Sequence, residues 1–577
     1  MRPFRKFCLN NAIAVLLGAS QLVSGADVNW EPYLEGYKNS LHNFGIFDGR
    51  RTTKPAPELR KSRPVADVNG NTIPDYDVLY EFDQLIDHNN ASRGTFRMRY
   101  YHTWEYYREG GPIILNDLST HHVPWAGGER SLTNVTTPGA IAQATNGAVV
   151  VVEHRFYGKS KPFPDLSADS LRFHTISQAL QDFVYFARNV RLAMPGGDGE
   201  GIRPHRSPWI FIGGSYSGAL AAFIMEQHPG VFWAAYASSA AVQPKIDFWQ
   251  YWSPIEQHMP ANCTADVKAV VSLIDGVLDS GNQTRMTEIK TQFGLGSLNT
   301  IDFVNTINIP FRTWQTLQPA SARNSLIYPF CDALETQGGQ VAGAEGWGAQ
   351  IALPKYADLF RSVITSLCGN TTTEALQACN SFVTIGFNAS RYVSTDVDSD
   401  LRPWMWTLCN EAGWFQPGPP NGGGIVSKYF DVQAWATFCS EAFPGTFTNS
   451  LTEFQARVDT TLQQYKGWNT MADRVFVVNG RRDPWLEVTL SATEANASST
   501  DLRPIYLTNG FHGSDMSHAN AVVEPSIGEV WNQALTTFPR WVSEFERQGS
   551  SASKARSKPF RLAVVVAGAT LSMLAVL

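Results

Sequence analysis

"WIFIGGSYSGALAAF", residues Trp209 to Phe223, runs an apolar tetrapeptide into two glycines, a serine and a helix-forming stretch of small residues. A strand that turns sharply into a helix through glycines exposes its central residue at the sheet edge. There a hydroxyl can reach substrate, and the helix N-terminus favours a developing anion. Ser215 stands at that point. The elbow pattern G-x-S-x-G asks for glycine two places after the serine, and Ser217 stands there instead. A turn serine would give the same spelling, so partners elsewhere in the chain must decide.

A hydroxyl is a poor nucleophile until a base takes its proton, so a histidine oriented by a carboxylate should follow on later loops of the sheet. "VVNGRRDPW" supplies Asp483 just after one strand-like run, and "LTNGFHGSD" supplies His512 just after the next. Alone, Asp483 reads as a turn residue before Pro484 and His512 as a surface loop histidine. Together they follow Ser215 in the chain order serine, acid, histidine that such an elbow leads one to expect. His518 is a rival base, but it lies farther from the strand end and inside the next helical stretch.

Outward from the elbow, "GPIIL" at 111–115 and "GAVVVVE" at 147–153 read as buried strands, like "WIFI" at 209–212. "ISQALQDFVYFARNV" between the last two carries apolar residues at helical spacing. Strand, helix and strand imply a doubly wound α/β core. From Gln243 to Gly467 the pattern changes to helix-forming segments and loops that hold all the mature cysteines, which reads as an insertion. "RVFVVNG" at 474–480 and "PIYLTNG" at 504–510 then return to the sheet. The expected organisation is a signal peptide at 1–25, a leader at 26–75, core at 76–242, an inserted helical domain at 243–467, core again at 468–548, and a removed tail at 549–577.

The ends and the composition bound the setting. Met1 to Gly25 passes from "MRPFRK" through "AIAVLLGA" to "LVSGA", the basic, apolar, small order of a secretory signal. The apolar run Leu562–Leu577 is shorter than the roughly 20 residues of a bilayer span. It follows the polar spacer "SKARSKPFR" and the small residues Gly549–Ala552, the layout of a glycosylphosphatidylinositol attachment signal. The expected partner is therefore the outer membrane leaflet through a lipid anchor, at the cell surface. An acidic vacuole or lysosome-like compartment also fits export. Of 7 cysteines, Cys8 falls in the signal. The even set left, Cys263, Cys331, Cys368, Cys379, Cys409 and Cys439, suits disulfides, though connectivity does not follow from sequence. Sequons stand at Asn90, Asn134, Asn262, Asn282, Asn370, Asn388 and Asn496. A net charge of -6 and a pI near 6.1 offer no field for a phosphate backbone, so nucleic acid is not an expected partner. No C-x-x-C pair suggests a metal, and serine chemistry of this kind needs no cofactor.

The blocks "FDQLIDH" (82–88), "FRMRYY" (96–101), "EHRFYGKS" (153–160), "QALQDF" (178–183), "GGSYSGALAAF", "WTLCNEAGWFQ" (406–416) and "NGRRDPW" resemble serine peptidase family 28 across most of the mature chain. That family includes prolylcarboxypeptidase-like enzymes, lysosomal dipeptidyl peptidases and fungal prolyl endopeptidases. The resemblance implies an α/β-hydrolase core with a large helical cap inserted after the nucleophile, with Ser215 as nucleophile, Asp483 as acid and His512 as base. Fungal members share Ser217, while "HGSD" departs from the family's His-His-Leu-Asp and keeps His512 and Asp515.

The backbone N–H of Tyr216 is the expected oxyanion donor, joined by one from the loop around Asn116 and Asp117. The implied substrates are proline-containing peptides. Trp406, Trp414, Phe415 and Trp485 lie in matched blocks and are candidate walls for a proline ring. Glu411 and Arg482 are candidates to read a peptide terminus, while Glu153 and Arg155 read as structural supports. The resemblance also pairs Cys409 with Cys439; nearness in sequence pairs Cys368 with Cys379 and leaves Cys263 with Cys331. Elbow and triad alone fit a lipase or carboxylesterase equally well, and a catalytically silent surface glycoprotein would keep the same fold.

Overall fold

A computed structural model describes residues 64–117, 131–321, 325–368, 393–399 and 401–556. The signal peptide, the apolar tail, Asn370, Asn388 and the Cys368–Cys379 pairing lie outside the described residues. Among the described residues, no helix is long and apolar enough to cross a membrane.

One 8-stranded sheet organises the chain. Its strands are β1 (Leu79–Leu85), β2 (Thr95–Thr103), β3 (Ile113–Asp117), β4 (Ala148–Val152), β5 (Trp209–Gly214), β6 (Ala234–Ser238), β7 (Val475–Gly480) and β8 (Ile505–Thr508). They lie in the order β1-β2-β4-β3-β5-β6-β7-β8. β2 runs antiparallel to both its neighbours, and every other pair is parallel. β3, β4, β6 and β7 are buried along their whole length, as expected where parallel strands carry helices on both faces.

Side-chain alternation divides the core into two layers. Ile114, Val149, Val151, Ile210, Ile212, Tyr236, Phe476 and Val478 point to one face. There they meet Ile141 of α1 (Thr137–Thr145) and Phe538 and Trp541 of the last long helix, Pro525–Arg556. Leu115, Val150, Trp209, Phe211 and Val477 point to the other face. α2 (Ile176–Asn189) and α3 (Tyr216–Gln227) cover it with Leu180, Phe183, Leu220 and Phe223. α2 starts where Thr175 caps the Gln178 N–H. This arrangement is an α/β-hydrolase core.

Between β6 and β7 the described regular elements are helices, apart from a short hairpin, Thr336–Gln337 with Gln340–Val341. These helices form the cap, and their apolar interior is continuous with the α2/α3 face of the core. Cys263–Cys331 ties the helix Ala261–Asp279 to Ile327–Glu335. Cys409–Cys439 ties the π-helical turn Leu408–Ala412 to the helix Val432–Ala442.

Four of the quoted blocks meet in a buried polar frame away from the elbow. The Arg155 guanidinium donates to both Asp182 oxygens, at 2.5 and 2.6 Å, and to the carbonyl oxygens of Leu85 and Phe173. His88 reaches the same carboxylate at 2.7 Å. Burial alone would raise the Asp182 pKa, but Arg155 and His88 outweigh it and hold the group below the ordinary range. Glu153 is engaged in parallel by Arg99 and Ser160. Asn90, Asn134, Asn282 and Asn496 are exposed, whereas Asn262 is half-buried.

Candidate active site

β5 ends in Gly213 and Gly214, and the chain reverses into α3 at Ser215, whose φ of 60° and ψ of -125° fall outside the regions a non-glycine residue ordinarily occupies. Two contacts hold it there. The Ser215 N–H donates to the Ser238 carbonyl at 2.9 Å. A Cβ on Gly213 would lie 2.0 Å from the Ser217 carbonyl oxygen, so only glycine fits at that position. The missing glycine of the elbow pattern is thereby explained. It is Gly218, not residue 217, that presses on β6, with its would-be Cβ 2.6 Å from the Ser238 oxygen. Ser217 instead directs its hydroxyl onto the Asp117 carboxylate at the end of β3.

The acid and base loops are fastened to each other. Gly480, at the end of β7, approaches Gly510 so closely that a Cβ would lie 2.4 Å from the Gly510 oxygen. Arg481 N–H donates to Thr508 O at 2.8 Å and Arg482 N–H to Gly510 O at 3.1 Å. Beyond them Asp483 is fully buried, and both of its oxygens lie 2.9 Å from His512 Nδ1. A carboxylate can only accept, so Nδ1 carries the hydrogen and Nε2 is the basic nitrogen. Asp483 Oδ1 also accepts the Trp485 N–H at 2.9 Å.

The base loop is seated on β6. Gly513 N–H donates to Ser239 Oγ at 2.9 Å. The buried Asp515 accepts from Ser238 Oγ at 2.7 Å and from the Tyr236 hydroxyl at 2.8 Å. Burial raises the Asp515 pKa to about 6 despite these bonds. Because the Ser238 carbonyl takes the Ser215 N–H, a single residue of β6 serves both the elbow and the base loop. Met516 of that loop lies beside Gly214, its Cγ 4.0 Å from where a Cβ would stand. His518, the rival base, is exposed at the start of the helix His518–Val523 and rests against Trp531. Sequence reading assigned Asp515 no role; a carboxylate three residues after the base was the available signal.

Tyr216 opens α3, so its N–H is one of the donors at the helix start that have no partner within the helix. Asn116 is committed elsewhere, donating to Ile212 O at 2.9 Å. The loop after Asp117, at 118–130, lies outside the described residues.

Of the four aromatic residues expected to wall the pocket, the structure brings Trp485 beside His512 and Trp414 beside Trp485 and Tyr216. The Trp485 ring centroid is 6.0 Å from that of His512 and 5.8 Å from that of Trp414. Trp414 stands 6.5 Å from Tyr216 and stacks on Trp404 at 6.1 Å. Trp406 and Phe415 depart from the expectation. Trp406 packs between Phe443 and Phe447, and Phe415 stacks on Trp435 at 5.2 Å, both within the cap interior. Helical backbone through 401–412 turns Trp404 and Trp406 apart, so the fellow residue Trp404 takes the place expected of Trp406. Arg482 lies over the Phe511 ring. A surface cleft lined by Arg188, Arg203 and His205 belongs to the opposite sheet edge, where β5 and β6 begin.

Glu411 is turned inward rather than toward a peptide terminus. Its Oε2 accepts the Ile176 N–H at 2.9 Å, joining the cap to the first turn of α2. Burial pushes its pKa up to about 7, only partly offset by that bond. Because the folded value is raised above the ordinary 4.5, the contribution of this carboxyl to stability is complete below that pH and is lost as pH rises through about 7. Glu411→Gln keeps an acceptor for Ile176 but no titration. Its stability relative to wild type should therefore rise by up to ~3 kcal/mol between pH 4.5 and 8, as read by chemical denaturation at both pH values; a constant difference would refute this.

The sheet order, the strained serine after β5 and the carboxylate-bound histidine define a serine hydrolase architecture of the α/β-hydrolase fold. The chain belongs to the serine carboxypeptidase S28 peptidase family, whose profile matches residues 84–530. It is 33% identical over 495 residues to serine protease vicPa of Bipolaris victoriae, covering 81% of this chain and 89% of that one. It is 31% identical over 430 residues to a probable extracellular serine carboxypeptidase of Arthroderma benhamiae, covering 70% and 57%. A shorter match, 35% identical over 205 residues, covers 34% of this chain and 39% of the mouse lysosomal Pro-X carboxypeptidase.

Proposed function

We propose that this serine peptidase cleaves peptide bonds after proline through an acyl-enzyme formed on Ser215. The observation that carries the reading is the buried Asp483 carboxylate, 2.9 Å from His512 Nδ1, with the His512 loop bonded to β6, the strand that also takes the Ser215 N–H. His512 Nε2 takes the Ser215 proton as Oγ attacks the carbonyl carbon, and Asp483 stabilises the imidazolium that results. The Tyr216 N–H stabilises the oxyanion. His512 then passes the proton to the departing amine, and water, deprotonated by the same imidazole, releases the acyl group.

Proline specificity is supported by the aromatic faces of Trp404, Trp414 and Trp485 grouped beside Tyr216 and His512, surfaces on which a rigid apolar ring packs well. The name of the mouse relative points the same way. Two disulfides and the names of an extracellular and a lysosomal relative support residence in the secretory pathway.

Paired peptides differing only in Pro or Ala before the scissile bond test the specificity, with a serine-reactive fluorophosphonate to count active sites. Cleavage of the proline peptide at least about 10-fold faster is expected, the scale of a well-fitted apolar pocket. Equal rates would refute proline specificity. Enzyme purified from culture medium for this assay should lose mass when N-glycans are removed, and an unchanged mass would count against the secretory reading.

A further inference from the structure

One short stretch of the cap touches both the acid and the base loop. It begins within the turn Thr313–Thr316 and ends at Ala320. Trp314 Nε1 donates to the carbonyl oxygen of Arg482, the residue before Asp483, at 2.7 Å. Gln315 Oε1 accepts from Trp485 Nε1 at 2.9 Å and from the Tyr251 hydroxyl at 3.0 Å. Gln318 Nε2 donates to the carbonyl oxygen of His512 itself at 3.1 Å. Gln318 Oε1 in turn accepts from Asn520 Nδ2 at 2.7 Å, and Asn520 also donates to Ser514 O at 2.9 Å.

The stretch is rooted in the cap rather than in either loop. The Arg312 guanidinium just before it is buried, donating to Gln416 Oε1 at 2.9 Å and to Asn308 Oδ1 at 3.0 Å, and it lies over the Trp252 ring. Apart from its bonds to the acid loop, the base loop is tied to the core through Tyr236 and Ser238 of β6 and Ser239 just beyond it. His512 is thus held from two sides, by the sheet below and by this cap segment above.

We propose that residues 314–320 act as a strut that sets the geometry of the His512–Asp483 pair, with Gln318 as a positioning residue for the base. The inference rests on the triad reading given above. Gln318 does not touch the imidazole, so its effect must pass through the His512 peptide plane. Rotation of that plane moves Nε2 relative to Ser215, and acyl transfer is sensitive to displacements of this kind. Ground-state binding of substrate does not depend on that alignment, so the loss should fall on kcat rather than on KM.

The test uses the full-length enzyme and the proline peptide. Gln318→Met preserves length and removes the donor. It should lower kcat about 10-fold or more, with KM within about twofold of wild type. The active fraction titrated by fluorophosphonate and the Tm should be unchanged, and the rate of fluorophosphonate labelling should fall in step with kcat.

Gln318→Glu is the second variant. Its carboxylate cannot donate to the His512 carbonyl, but its protonated acid can, so kcat relative to wild type should recover as pH falls through the carboxyl range. A kcat within twofold of wild type in both variants would overturn the proposal. So would a change confined to KM, or a fall in titrated active fraction that accounts for the whole loss. Failure of the triad reading would show separately, as activity surviving in Ser215→Ala.

Discussion

Ser215→Ala is expected to lower kcat by about 10⁴- to 10⁶-fold, leaving the activity that oxyanion stabilisation and substrate binding alone can support. The size follows from the absence of a substitute at the elbow. The Ser217 hydroxyl is bound to Asp117, and the Ser238 hydroxyl donates to Asp515. Ser239 Oγ accepts the Gly513 N–H from a neighbouring strand end. None of them occupies the backbone position that places Oγ at the start of α3. The substitution should leave the fold intact, since the Ser215 side chain makes no capping bond to that helix. The measurement is kcat on the proline peptide together with fluorophosphonate labelling, which should vanish while Tm stays constant. A kcat within tenfold of wild type would refute Ser215 as the nucleophile.

Asp483→Asn should cost about 10⁴-fold in kcat with little change in KM. Asparagine matches the carboxylate in shape and can still accept the Trp485 N–H through its oxygen, so the loop has no steric reason to move. The loss is electronic. An amide turned to keep that bond presents its NH₂ group to His512 Nδ1, which drives the proton onto Nε2 and removes the base's lone pair from the serine side. It also leaves the imidazolium uncompensated in a fully buried site. A fall of less than tenfold would mean that another group orients His512, and the assignment of Asp483 would fail.

Much of this arrangement was legible in the sequence, because residues close along the chain generate it. "GAVVVVE" and "RVFVVNG" read as buried strands since β-branched runs this dense have few other uses. The elbow was legible because glycines on either side of a serine at a strand end leave little alternative. β6 was not, since "AAYAS" is as apt for helix as for strand and becomes a strand only by pairing with β5 and β7. β1 and β2 escaped notice as strands because charged residues such as Glu81, Asp83, Arg97 and Arg99 interrupt them on the side away from the core.

At the site, Asp483 and His512 were legible as loop residues just after strand ends, and the structure sets them side by side. The pocket residues were a weaker matter. Membership in one stretch of sequence does not tell which aromatic faces the cleft, and helical turning sent Trp406 into the cap and Trp404 toward Tyr216. Gln318 carried no signal at all: a glutamine almost two hundred residues from the histidine it holds becomes visible only through the fold.

The place of the cap in the chain has a consequence for how the enzyme is made. Ala235 of β6 pairs with Val475 of β7, so the sheet cannot close until everything between them has emerged from the ribosome. A nascent chain that already displays the elbow lacks the residues proposed as acid and base, Asp483 and His512. Long-range pairing of this kind is late and slow to form. Any activity that needs the closed sheet therefore arrives only late in synthesis, and the ribosome that makes the chain is shielded from it by the order of synthesis alone.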